Sequence, residues 1–192
     1  MRDIYIALIV AGLLPAAFLR PFIGVVLWTY MSLLAPHRLA WGFAYDFPFV
    51  QAIALVTILG LLISPERKTF PVSAPTVWFF LFTLWTCVTT VFALAPELAQ
   101  GRLVYVLKIF ALSYVALLVT NTRERLHVLV WTIVISVGFY GVKGGVFTLL
   151  SGGGARVYGP AGSYIEDNNH MALALIMVVP LLRYLQLNSG DR

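Results

Sequence analysis

The residues Arg156-Val-Tyr-Gly-Pro-Ala-Gly-Ser-Tyr-Ile-Glu-Asp-Asn-Asn-His170 place an arginine, a glutamate, an aspartate, two asparagines and a histidine in one short stretch of a chain that is 60% hydrophobic. The chemistry those types suit is the binding of an anion. Arg156 offers a planar fork of donors matched to phosphate or carboxylate oxygens. Asp167, Asn168 and Asn169 stand directly before the apolar run Met171-Ala-Leu-Ala-Leu-Ile-Met177, so one of them is expected to cap a helix. The first amides and positive dipole end of that helix would then face the loop and favour negative charge. A diphosphate or carboxylate site at a membrane face is the reading this pattern supports. The plainer alternative is that the Asn and Asp side chains only cap the helix while Arg156 meets lipid headgroups. Glu166 and His170 are four residues apart, as metal ligands on a helix can be, but no second His or Cys pair accompanies them, so no metal is expected.

The elements that must hold this loop are read from hydropathy. Charged residues make up 11% of the chain, far below the roughly 25% of soluble domains, and mean hydropathy is +0.90. Apolar runs recur from end to end, which predicts an all-α, polytopic integral membrane bundle and excludes a soluble globular domain. Seven segments stand out: Ile4–Leu19, Phe22–Ala35, Phe49–Ile63, Thr76–Leu94, Leu103–Val119, Leu126–Leu150 and Met171–Leu187. They make six or seven spans, because Arg20-Pro21 divides the first two into either two thin spans or one long broken one. Residues 1–192 are read as a single α-helical membrane domain, with 151–170 as its polar extracytoplasmic loop. Gly152-Gly-Gly154 is predicted to end the sixth helix, and Gly159-Pro160 and Gly162-Ser163 to make two tight turns. The net charge of +5 is dispersed over short loops with no basic stripe, so nucleic acid is not an expected partner. Cys87 has no partner in the chain for a disulfide.

Lys and Arg in the short loops set the orientation. Arg67 and Lys68, Arg123 and Arg125, and Arg183 and Arg192 fall on one side; Arg38, Arg102 and Arg156 fall on the other. The first set is expected to face the cytoplasm, which places the Arg156–His170 loop outside, in the periplasm if the chain sits in a bacterial inner membrane. The side on which the N-terminus lies stays open. Trp78 suits an interfacial anchor.

Within the apolar runs, Lys143 and Lys108 are the costly residues. Lys143 lies in Tyr140-Gly-Val-Lys-Gly-Gly-Val146, where small residues allow another helix or a substrate to come close. Lying near a helix end, it could equally snorkel to the surface. Asp46, in Trp41–Pro48, is read as an ordinary loop acid, and His37 and His127 as structural.

The run Arg156-Val-x-Gly-Pro-x-Gly-Ser-Tyr-Ile-x-Asp-Asn-Asn169, with Ala172-Leu-Ala-Leu and Pro180-Leu-Leu after it, resembles a known family. So do Tyr140-Gly-Val-Lys-Gly-Gly145, Arg20-Pro-Phe-Ile-Gly24 and Ala35-Pro-His-Arg-Leu39. The chain is similar along its length to the N-terminal half of O-glycosylation ligases associated with the exosortase A system, within the O-antigen ligase and polymerase superfamily. The resemblance implies transfer of a glycan from a polyprenyl diphosphate lipid to an acceptor at the periplasmic face, without a cofactor. Arg156 would neutralise the charge developing on the diphosphate. Lys143, Tyr158, Gly159, Ser163, Asp167, Asn168 and Asn169 would form the substrate-binding set. Members of that family are longer, with further helices and a periplasmic loop carrying a histidine that activates the acceptor. This chain is therefore expected to lack the catalytic half and to need that half or a partner chain. A transporter or channel subunit, with Lys108, Lys143 and Asp46 along a path, and a non-catalytic membrane scaffold are the competing readings. The concentration of polar residues in one loop, away from mid-membrane, favours the ligase.

Overall fold

The structure is a computed structural model describing residues 1–66, 68–154 and 156–189. Arg67 and Arg192, which count in the charge pattern above, lie outside the described residues. All the regular structure among the described residues is helical: α1 (Arg2–Leu19), α2 (Pro21–Leu33), a 3-10 turn (Pro36–Leu39), α3 (Phe49–Ile63), α4 (Ala74–Val91), α5 (Pro96–Val119), α6 (Arg123–Leu150) and α7 (Asn168–Leu187). Five of them, α1, α4, α5, α6 and α7, are long and apolar enough to cross a membrane. The protein is a multi-pass helical membrane bundle, the architecture that lets each segment satisfy its own backbone in lipid. By contacts it divides into two compact units, Met1–Ser64 with Thr122–Arg192, and Pro65–Asn121.

In the first unit the predicted break between the first two segments separates two helices. Arg20 is extended (φ −131°, ψ 91°), and Pro21, which has no amide proton to leave unsatisfied, opens α2. Both helices pack on α3 through glycines. A Cβ at Gly60 would fall 2.3 Å from the Phe18 carbonyl oxygen, and one at Gly24 would fall 2.1 Å from Thr57 Oγ1. In lipid, where apolar surface alone does not drive helices together, such close backbone approach supplies the packing. Thr29 and Thr57 donate to the carbonyls four residues back, at 2.8 and 2.6 Å, and so are quiet within the core.

At the far end of this unit Thr122 caps α6, accepting from the Arg125 amide at 3.2 Å, and the Arg123 guanidinium bonds the Asn188 side chain beyond α7. α6 and α7 share a core of Val130, Val134, Val137, Val178 and Leu185. At the other end, Tyr140 donates its hydroxyl to the Leu34 carbonyl, tying α6 to the end of α2. Leu175 lies where a Cβ on Gly141 would come within 2.8 Å of it.

Ala35 then turns the chain. It holds the left-handed conformation (φ 45°, ψ 50°), which costs a non-glycine residue about 1 kcal/mol, and swings the chain into the 3-10 turn carrying His37 and Arg38. The start of α1, residues 34–48, the end of α6 and the start of α7 thereby share one end of the unit. In the second unit α4 and α5 pair through Phe79, which meets Phe110 at 5.1 Å and Tyr114 at 4.8 Å. The Thr83 and Tyr114 hydroxyls bond at 2.8 Å.

Candidate functional site

The polar loop begins with a helix stop built as the glycines require. Gly152 and Gly153 take positive φ (68° and 80°), and the Gly153 amide reaches back to the Thr148 carbonyl at 2.9 Å, the Schellman closure of α6. Val157 then seats on α6: a Cβ at Gly144 would lie 2.7 Å from Val157 Cγ1. Gly144 of the Tyr140-Gly-Val-Lys-Gly-Gly145 motif thus admits the loop itself.

Beyond Val157 the loop closes on its own polar groups. The Gly159 amide donates to the Glu166 carbonyl at 3.0 Å, and a Cβ at Gly159 would stand 2.0 Å from the Ile165 carbonyl oxygen, so no other residue fits. The Glu166 carboxylate accepts from the Gly162 amide at 2.8 Å, and Ser163 Oγ accepts from the Ile165 amide at 3.3 Å. Ile165 is buried with Tyr140 and Met171 beneath this ring of bonds. Of the three candidate caps, Asp167 is the one used: its carboxylate accepts from the Asn169 amide at 2.8 Å. Hydrogen bonds from the Asn169 and His170 amides hold its pKa below the usual carboxylate range, the Asn169 bond contributing most. The anion at the start of α7 is therefore the protein's own carboxylate, standing where the charge pattern placed a bound ligand.

The predicted site residues sort accordingly. Gly159 and Ser163 serve the loop's geometry, and Asp167 serves the helix. Asn168 opens α7 and is half-buried, whereas Asn169, Tyr158 and Arg156 are exposed on the loop surface. Glu166 is occupied by Gly162, and among the described residues no three His, Cys, Asp or Glu side chains are grouped as metal ligands.

Lys143 is brought into different company. It lines a cleft of about 580 Å³ together with Arg2, Arg38, Tyr45, Trp41 and Asp46. Three cations, drawn from the first residues of α1, the 3-10 turn and α6, line it with Asp46, and Asp3 bonds the Gly42 amide of its wall. Asp3 organises one side: its carboxylate accepts from the Gly42 amide at 3.0 Å and the Ala44 amide at 3.1 Å. Arg38 organises the other. Its guanidinium carbon lies 4.9 Å from the Tyr45 ring centre, and a Cβ at Gly162 would be 3.3 Å from that same guanidinium. Arg38 thus touches both the 40–48 segment and the polar loop. His37 beside it is buried against Phe49 in an edge-to-face contact, the ring centres 6.1 Å apart. Burial, reinforced by the Arg38 charge, lowers its pKa to about 4, so it is neutral near pH 7 and adds no charge to the cleft.

Arg2 and Arg38 carry no functional weight in a linear reading, where Arg38 is a topogenic charge and Arg2 a terminal one. The signal that finds them is the count of crossings. Once Ile4–Ala35 is two antiparallel helices, the N-terminus and residues 34–48 must lie at the end that carries the loop. Arg156 does not line the cleft, and Lys108 belongs to the other unit.

The chain belongs to a family described as a family of unknown function, DUF5935, whose model matches residues 1–189. No curated protein and no solved structure matches it.

Proposed function

We propose that this membrane protein binds the diphosphate of a polyprenyl-linked glycan at the periplasmic face of a bacterial inner membrane, as the donor-binding portion of a glycan ligase. The observation that carries this reading is the convergence of Arg2, Arg38 and Lys143 on one cleft beside the closed polar loop. Clustered cations in a concave site are suited to a doubly charged phosphate chain, since their fields add at the anion and the concavity focuses them. A transport path would set its charges at mid-span. Here Lys143 shares a cleft with Asp46 of the 40–48 segment and with Arg2 in the first turn of α1, and Lys108 sits in the other unit.

In the transfer, the bond between the anomeric carbon and a diphosphate oxygen breaks and the acceptor oxygen bonds that carbon, losing its proton. The polyprenyl diphosphate leaves with the electron pair. Arg38 and Lys143 are suited to holding the diphosphate before and during departure, because fixed donors stabilise charge as it develops without reorganising. Arg156, exposed on the loop, is suited to the outer phosphate or the first sugar. The acceptor's proton passes to a base that the residues named here do not supply.

Binding of a polyprenyl diphosphate glycan to the full chain in detergent tests the proposal. Specific binding by the wild type is expected, falling about tenfold in Arg38→Gln and in Lys143→Gln if each removes one charge-assisted contact. Absence of binding by folded wild-type protein, or variants that bind as the wild type does, would overturn it.

A further inference from the structure

We propose that Trp41–Phe47 is a membrane-interface wedge, and that the cleft behind it opens sideways into the bilayer and takes a lipid phosphate from the headgroup layer. The inference rests on the cleft being a phosphate site and adds where its ligand comes from.

Helix length is the first argument. α2 and α3 have 13 and 15 residues, which rise about 20 and 22 Å. A hydrocarbon core is about 30 Å thick. The segment joining these helices is therefore drawn toward the hydrocarbon boundary, or the bilayer thins to meet it.

The segment's backbone supplies the next argument. Non-helical chain at that depth must satisfy its polar groups internally, and this one does so at six amides. Ala40 donates to the His37 carbonyl at 3.1 Å, Tyr45 to Gly42 at 3.0 Å, Phe47 to Phe43 at 3.2 Å and Phe49 to Phe47 at 2.8 Å. The Asp3 carboxylate takes the Gly42 and Ala44 amides. Six amides in ten residues are thus accounted for without solvent.

Third, the side chains are segregated. Ala40, Ala44 and Phe49 are buried inward, whereas Trp41 is 94% exposed, Phe43 58% and Phe47 48%. The loop is pinned by Asp3 and by the Phe47–Phe49 ring contact at 4.6 Å, which holds Trp41 and Phe43 on its outer side. Trp suits the headgroup level, apolar body in the membrane and polar edge wet, and the wholly apolar Phe rings suit the hydrocarbon just beneath it. Arg2, Arg38 and Lys143 stand immediately behind them. That places positive charge at the depth of lipid phosphates, where each cation favours an anionic headgroup.

The test uses the full chain reconstituted in phosphatidylcholine vesicles carrying no glycan, with Trp41 emission taken as the difference between wild type and Trp41→Phe. Trp41 should be quenched by a nitroxide attached at headgroup depth and shielded from aqueous acrylamide. The same nitroxide on phosphatidic acid should quench it roughly fivefold more effectively than on phosphatidylcholine at equal mole fraction, a preference lost in Lys143→Gln and in Arg38→Gln. Lys143 is exposed, so its variant is not expected to perturb folding. Acrylamide quenching like that of free indole would overturn the wedge. Equal quenching by the two labelled lipids would overturn the lipid phosphate. Reversal of the preference by millimolar inorganic phosphate would assign the cleft to a free anion and overturn sideways access. Because no glycan is present, failure of glycan binding with an intact phosphatidic acid preference counts against the ligase proposal alone. Retained glycan binding with an aqueous Trp41 counts against the wedge alone.

Discussion

Residues 156–170 and residues 34–48 lie at the same end of the bundle and are opposite in character. The polar loop, 156–170, turns three of its polar side chains on itself: Glu166 on Gly162, Ser163 on Ile165, Asp167 on the start of α7. Residues 34–48 are mostly apolar and aromatic, yet they contribute Arg38, Tyr45 and Asp46 to a cleft that Arg2 and Lys143 complete. Polar groups close in sequence can satisfy one another, because short separations cost little entropy to close. Groups that remain free to bind something else are more often brought together from distant positions. In this protein a crowded loop is the frame and a sparse segment is the cleft wall.

The sharpest way to break that contrast is at Gly159. Replacement by alanine drives a Cβ into the Ile165 carbonyl and is expected to cost about 3 kcal/mol or more through forced opening of the loop. A fall in the detergent unfolding midpoint checks it, and an unchanged midpoint would show that the loop is not the rigid frame described. Next in size is Asp3→Ala. Losing two charge-assisted bonds to the Gly42 and Ala44 amides should weaken the cleft wall by about 2 kcal/mol. Faster hydrogen exchange at residues 42 and 44, with exchange at 159 and 162 unaltered, is the expected pattern.

The contrast is sharpened by pairing arginines. Arg38→Gln should lower diphosphate affinity about tenfold, whereas Arg156→Ala, exposed and outside the cleft, should lower it only about threefold because solvent and salt screen it. A larger effect at Arg156 would return the site to the polar loop.

A separate effect is expected on pH. His37 has a folded pKa of about 4 against an ordinary 6.5, so between those values the unfolded chain binds more protons. Stability contributed by neutral, buried His37 is present above about pH 6.5 and is lost as pH falls toward about 4. His37→Phe should flatten that decline in an acid unfolding series. Asp167 acts in the same direction at lower pH, since its depressed pKa makes its cap present above the ordinary carboxylate range and lost as pH falls through the folded value.

Much of the helical framework is legible in the chain. The run Phe49–Ile63 is α3 to the residue, because both its ends are marked, by Pro48 before and Ser64-Pro65 after. The glycine stop at 152–154 and a cap among Asp167–Asn169 are local chemistry that needs no distant partner. Apolarity alone clips α5, which begins at Pro96 and carries Glu97 and Arg102 in its first turns. Charged side chains at a helix end reach the interface and do not end a helix.

Composition and local pattern were enough to establish that the chain crosses membranes as helices, because apolar length and internally satisfied backbone are properties of each segment alone. They also located the glycine turns and the capped start of α7, which depend on a few adjacent residues. They could not say whether residues 4–35 make one broken helix or two helices side by side, that Glu166 closes onto Gly162, or that Arg2, Arg38 and Lys143 share a cleft. Those facts depend on which helices pack side by side. That choice rests on Gly24 against Thr57, Gly60 against Phe18 and Gly144 against Val157, contacts between residues far apart in the chain, for which sequence spacing carries no signal.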